Sequence, residues 1–110
     1  MINFYVLGVI DPVTEHKIYL NRYHHYAFET GAKVRNEEKD KLVLFDEWYF
    51  DDNKSVLIFN SEYEAKEFLS NTDMYIPRKD DLMIFEIEGD PHEWIPNWKI
   101  LYCNYIGRKI

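Results

Sequence analysis

Four histidines, one cysteine and twenty acidic residues are the side chains through which this 110-residue chain could do chemistry. A helical zinc site needs ligands four residues apart, and His16, His24, His25 and His92 offer no such pair. Adjacent His24 and His25 would project to opposite faces of an extended chain, which makes them a poor chelate. The run Asp90-x-His92-Glu93 reads as solvated loop, so no metal is expected. Cys103 sits among Leu101, Tyr102 and Tyr105 and reads as part of a buried strand, where a thiol is inert and its pKa is raised. A single cysteine allows no internal disulfide, which fits a reducing compartment. Hydrolysis by paired carboxylates needs one acid with a raised pKa, and nothing in the pattern singles one out. There is no Gly-rich phosphate loop, Gly-x-Ser-x-Gly elbow or Cys-x-x-Cys pair. The chain therefore reads as non-enzymatic and without a cofactor.

The charge pattern is more informative. Residues 46–97 hold fourteen of the twenty acidic residues and four of the thirteen basic ones, a formal charge of −10. The preceding 45 residues are neutral on balance and the last thirteen carry +3, giving −7 for the whole. Such an acidic stretch favours a basic partner and disfavours nucleic acid. Asp46, Glu47, Asp51 and Asp52 flank Trp48-Tyr49-Phe50. They would make a contact patch in which the rings supply desolvated anchor area and the acids steer encounter. The plainer alternative is a hairpin end with solvated turn acids and a core Trp. Glu86, Glu88, Asp90 and Glu93 form a second acidic segment, with Glu86 and Glu88 on one strand face and Met83, Phe85 and Ile87 on the other. By pattern alone this is the wet face of a half-buried strand, and it gains functional weight only if it adjoins the first patch. Trp94-Ile95-Pro96-Asn97-Trp98 forms either a binding prong or a lid over an exposed part of the core, and the lid is the expected role. The expected contact residues are Asp46, Glu47, Trp48, Asp51 and Asp52, followed by Glu86, Glu88, Glu93 and Trp94.

The elements that must position these residues can be read from periodicity. The length suits one domain spanning 1–110, and 46% hydrophobic residues with only four Gly and four Pro exclude disorder. Asn3 to Ile10 and Lys17 to Asn21 predict a hairpin. Arg22 to Asp40 reads as irregular, with at most one short helix through Tyr23, Tyr26 and Ala27. Leu42 to Phe50 and Ser55 to Asn60 predict a second hairpin closed by Asp51-Asp52-Asn53-Lys54. Ser61-Glu62-Tyr63-Glu64 is a capping box that opens a helix over about 62–70, with Ala65, Phe68 and Leu69 as its apolar stripe and Glu62–Lys66 as a pair on the wet side. Leu82 to Glu88 and Trp98 to Ile106 complete an α+β fold: an antiparallel or mixed sheet of about five to six strands with one main helix on one face. The opposite face would then be solvated or bind something. Nine Tyr, seven Phe and three Trp exceed the needs of such a core, so some rings are expected at the surface. Met1 to Tyr5 lacks the basic and long apolar segments of a signal peptide, and no apolar run approaches the ~20 residues of a membrane helix, so a cytoplasmic protein is expected.

The strand-to-helix junction Phe59-Asn60-Ser61-Glu62-Tyr63-Glu64-Ala65-Lys66-Glu67-Phe68-Leu69 and the acid-aromatic run Asp46 to Asp52 resemble the small acidic inhibitors and immunity proteins of phages and toxin systems. That resemblance implies an anti-defence or immunity protein that binds a host nuclease or cognate toxin, and it supplies no catalytic residues. The function expected is an acidic protein that blocks the surface of a basic, nucleic-acid-acting partner. The alternative is a small-ligand or nucleotide-binding protein using aromatic stacking and the positive residues Lys99, Arg108 and Lys109. A symmetric homodimer would be another way to cover an aromatic sheet face.

Overall fold

The structure, a computed structural model, describes residues 3–24, 40–48 and 56–106. Five strands form one antiparallel sheet: β1 (Asn3–Ile10), β2 (Lys17–His24), β3 (Asp40–Asp46), β4 (Met83–Glu88) and β5 (Lys99–Tyr105), in the order β3-β2-β1-β4-β5. One helix, α1 (Glu62–Asn71), precedes β4. This is the α+β architecture expected, with the helix one residue longer than its pattern indicated. No helix among the described residues is long and apolar enough to cross a membrane.

The first hairpin turns on Asp11, whose Oδ1 accepts from the amides of Val13 (2.8 Å) and Thr14 (3.2 Å). These two amides hold the Asp11 carboxyl below the usual carboxylate range, with a smaller contribution from His16. Glu15 completes the turn in the left-handed region at φ 65°. β2 then runs on to His24, so Tyr23 belongs to a strand and not to the short helix considered for it; residues 25–39, including His25, Tyr26 and Ala27, lie outside the described residues.

β1 and β2 pair only at Gly8–Tyr19, Val9–Ile18 and Ile10–Lys17, and then diverge. Residues 56–59 enter the gap. The amide and carbonyl of Tyr5 exchange hydrogen bonds with Phe59, both at 2.9 Å, and the Leu57 amide donates to the Leu20 carbonyl at 3.2 Å. The predicted second hairpin is therefore corrected: β3 pairs with β2 along seven positions, and residues 56–59 bridge β1 and β2 instead of β3. β-Rich composition marks a segment as extended but does not choose its neighbour. The choice here follows from packing, because Val56 and Phe59 fill opposite faces of the divided sheet.

α1 begins where the Ser61 hydroxyl accepts from the Glu64 amide at 3.1 Å, a cap worth about 1 kcal/mol. Glu62 and Lys66 pair at 3.1 Å on its wet side. Ala65 and Leu69 are buried with Leu7, Val9, Leu20, Leu42, Phe59 and Ile84, which makes a first core between helix and sheet. The opposite sheet face is not left to solvent. Phe4, Val6, Tyr19, Phe85 and Ile87 form a second core there, closed by Ile95 and Trp98. The Trp98 ring meets Phe4 edge-on at 5.1 Å and Tyr19 at 5.5 Å, and its Nε1 donates to the Asp90 carbonyl at 3.2 Å. The 94–98 segment is thus a lid through Ile95 and Trp98, while Trp94 stays exposed.

β5 is an edge strand, and a bulge opposite Glu86 and Ile87 leaves Leu101 outside the paired register. Leu101, Tyr102 and Tyr105 are each more than two-fifths exposed, and Cys103 is exposed as well. The expectation of a buried, inert thiol is overturned: an apolar run reads as interior, but an edge strand has a neighbour on one side only. Native protein is therefore expected to react with one equivalent of an aromatic disulfide reagent without denaturant. Labelling seen only after unfolding would contradict this placement.

Candidate functional site

The end of β3 and the turn before β2 meet through register. Ile18 pairs with Asp46, and beyond it the Glu47 amide donates to the Lys17 carbonyl at 2.8 Å. The Glu47 carboxylate returns the contact, its Oε2 accepting from the Lys17 amide at 2.7 Å. Glu47 is consequently buried, at 9% exposure, and clamps backbone instead of facing a partner. Beside it, burial raises the pKa of the Tyr19 hydroxyl, and the Glu47 charge adds to the effect.

Asp46 is bound on both oxygens: Oδ2 lies 3.0 Å from His16 Nδ1, and Oδ1 accepts from the Trp48 amide at 2.9 Å. The second bond turns the chain so that the Trp48 side chain leaves the sheet. Its ring centroid lies 6.1 Å from that of His16 and 5.1 Å from that of Trp94, the two indoles meeting edge to face at 84°. Trp94 is brought there by the lid. Asp90 Oδ1 accepts from the His92 amide at 2.8 Å, and the single 3₁₀ turn at Ile95–Asn97 sinks Ile95 into the second core. With its neighbour buried, Trp94 points outward. Trp48 is 43% and Trp94 47% exposed, a large aromatic area for two residues packed on each other.

The remaining acids separate. Glu86 and Glu88 alternate with Phe85 and Ile87 and lie on the α1 side of the sheet, opposite the face that the Trp94 lid closes. Glu86 accepts from Asn3 Nδ2 at 2.9 Å. Burial, then the Glu86 charge and its hydrogen bond, and finally Glu62 of α1 push the Tyr5 hydroxyl upward. Glu88 pairs with Lys99 at 3.5 Å on the surface. Among the described residues, the acids of the two predicted groups do not form one patch. Trp48 and Trp94 come together next to Asp46, Glu93 precedes Trp94 in the same loop, Glu86 and Glu88 lie on β4, separated from Asp46 on β3 by β2 and β1, and Asp51 and Asp52 lie outside the described residues. His16 was not anticipated in this site. Only the β2–β3 register places it beside Asp46, and no local motif carries that information.

Among the described residues no group of three His, Cys, Asp or Glu side chains is placed to hold a metal ion. The arrangement has a fixed carboxylate and two exposed indoles, which suits recognition better than proton transfer. Comparisons with protein-family models, with curated proteins and with solved structures found no match for this chain.

Proposed function

We propose that this is a non-enzymatic binding protein that inhibits a basic, nucleic-acid-acting partner, such as a host defence nuclease or a cognate toxin, by covering its surface. The observation that carries the reading is the exposed Trp48–Trp94 pair beside Asp46. Exposed Trp side chains dominate the energetics of many interfaces, because each desolvates a large rigid area at little cost in conformational entropy. The −10 charge of residues 46–97 would accelerate encounter with a basic surface and reject polyanions. The Glu86–Glu88 face contributes to this field without touching the same part of the partner.

The test is capture of partners from host lysate at low and moderate salt, using the parent protein, Trp94→Ala, and Tyr75→Ala as a control at a residue 82% exposed. One basic nucleic-acid-acting protein should be retained, less so as salt rises, and Trp94→Ala should weaken its association by about 2 kcal/mol, roughly thirtyfold. Retention indifferent to both salt and Trp94 would overturn the proposal. A nucleotide that raised the melting temperature would favour the small-ligand reading instead.

A further inference from the structure

The geometry points to an arginine side chain of the partner protein as the group that the Trp48–Trp94 pair receives. This rests on the binding reading above and specifies the chemistry of its contact. The two indoles meet at 84°, so the edge of one covers part of the face of the other, and close to half of each residue is still open to solvent. The electron-rich face of an indole attracts cations more strongly than that of any other side chain. Asp46 is 41% exposed and adds a negative charge held at the start of the turn to Trp48. Each of its oxygens already makes one hydrogen bond, to His16 and to the Trp48 amide, which leaves each with one acceptor site for an incoming donor. An incoming cation is recognised by stacking over the rings within the field of Asp46, whose remaining acceptor sites can take its N–H donors. That favours a guanidinium, which is planar and weakly hydrated, over a compact and strongly hydrated ammonium. Within the chain, Lys99, the basic residue that follows the lid, pairs with Glu88 of β4.

The test uses the full chain and two peptides of equal charge, hexaarginine and hexalysine, with the indole N–H resonances as the readout. The protein has three Trp, of which Trp98 is buried. Hexaarginine should shift the Trp48 and Trp94 signals, leave that of Trp98 in place and bind more tightly than hexalysine. Trp48→Leu and Trp94→Leu should each weaken hexaarginine binding about three- to thirtyfold, the range that cation–π contacts span. An unmoved Trp98 resonance will report that each variant keeps its fold. Equal binding of the two peptides, or binding that disturbs Glu86 and Glu88 while both exposed indoles stay still, would overturn this inference and leave the basic-partner proposal standing. Failure of both peptides to bind at low salt would remove both.

Discussion

Gly8→Ala is expected to lower the unfolding free energy by about 3 kcal/mol or more, a large part of the ~5–15 kcal/mol that holds a domain folded. Gly8 is paired on both sides, with Tyr19 of β2 and Met83 of β4. It is the last paired position of β1 and β2 before residues 56–59 separate them. A methyl group there would run into the Ile18 carbonyl oxygen and come within 3.0 Å of the Tyr19 Cα. Both obstacles are backbone, so no side-chain rotation relieves the clash and the strands themselves must part. Parting them disturbs both cores, since Val9 packs on the helix side and Tyr19 on the lid side. Gly89 makes a useful contrast: it adopts φ 135°, yet a Cβ there meets nothing within 4 Å, so the cost of replacing it is one of conformation alone. In urea titrations Gly8→Ala should lower the midpoint with the slope unchanged. A loss below about 1 kcal/mol would mean that the two strands do not approach as closely as described.

What could be read in advance depended on the range of the information. The helix was legible because its signals are local: Ser61 caps the amide of Glu64, and Ala65, Phe68 and Leu69 repeat at helical spacing. β1, β4 and β5 were legible from composition and alternation, and the Glu86/Phe85 division between faces followed from the pleat. Pairing was not legible, because nothing near Val56 or Phe59 indicates that they insert between β1 and β2 instead of folding back on β3. The exposure of Cys103 was missed for the same reason, since whether an apolar strand lies at an edge depends on the order of strands.

The site shows the same boundary. Acid-aromatic clustering singled out Asp46, Trp48 and Trp94 separately as candidates, but their meeting depends on a register that places His16, Asp46 and Trp48 at one corner and on a lid that carries Trp94 to it. Glu47 looked equivalent to Asp46 and proved structural, because the carboxylate one residue later is directed at the Lys17 amide. β3 ends at Asp46, so Glu47 already belongs to the turn, where its carboxylate closes on the Lys17 backbone.

Trp98→Ala should cost about 3–5 kcal/mol and also weaken binding, although Trp98 itself faces inward. Its ring packs on Phe4 and Tyr19, and Tyr19 in turn meets Phe85 edge to face at 5.5 Å, so truncation opens a cavity at the centre of the second core. The change also removes the donor to the Asp90 carbonyl, the bond that ties the end of the lid back to the loop that leads into it. Trp98→Phe separates the two contributions: most of the ring packing is kept and the indole N–H is lost, which should cost about 1 kcal/mol for the bond alone. The lid also carries Trp94, whose outward aim depends on the burial of Ile95 beside it. Loosening the lid should therefore blur the edge-to-face Trp48–Trp94 geometry and reduce the far-ultraviolet exciton signal of two coupled indoles. Trp94→Ala should abolish that signal with little loss of stability, because the residue it removes is already half exposed. Stability and binding are thus expected to fall together in Trp98→Ala and to part in Trp94→Ala. If Trp98→Ala kept its melting temperature, the 94–98 segment would not be a lid, and the position of Trp94 would need another cause.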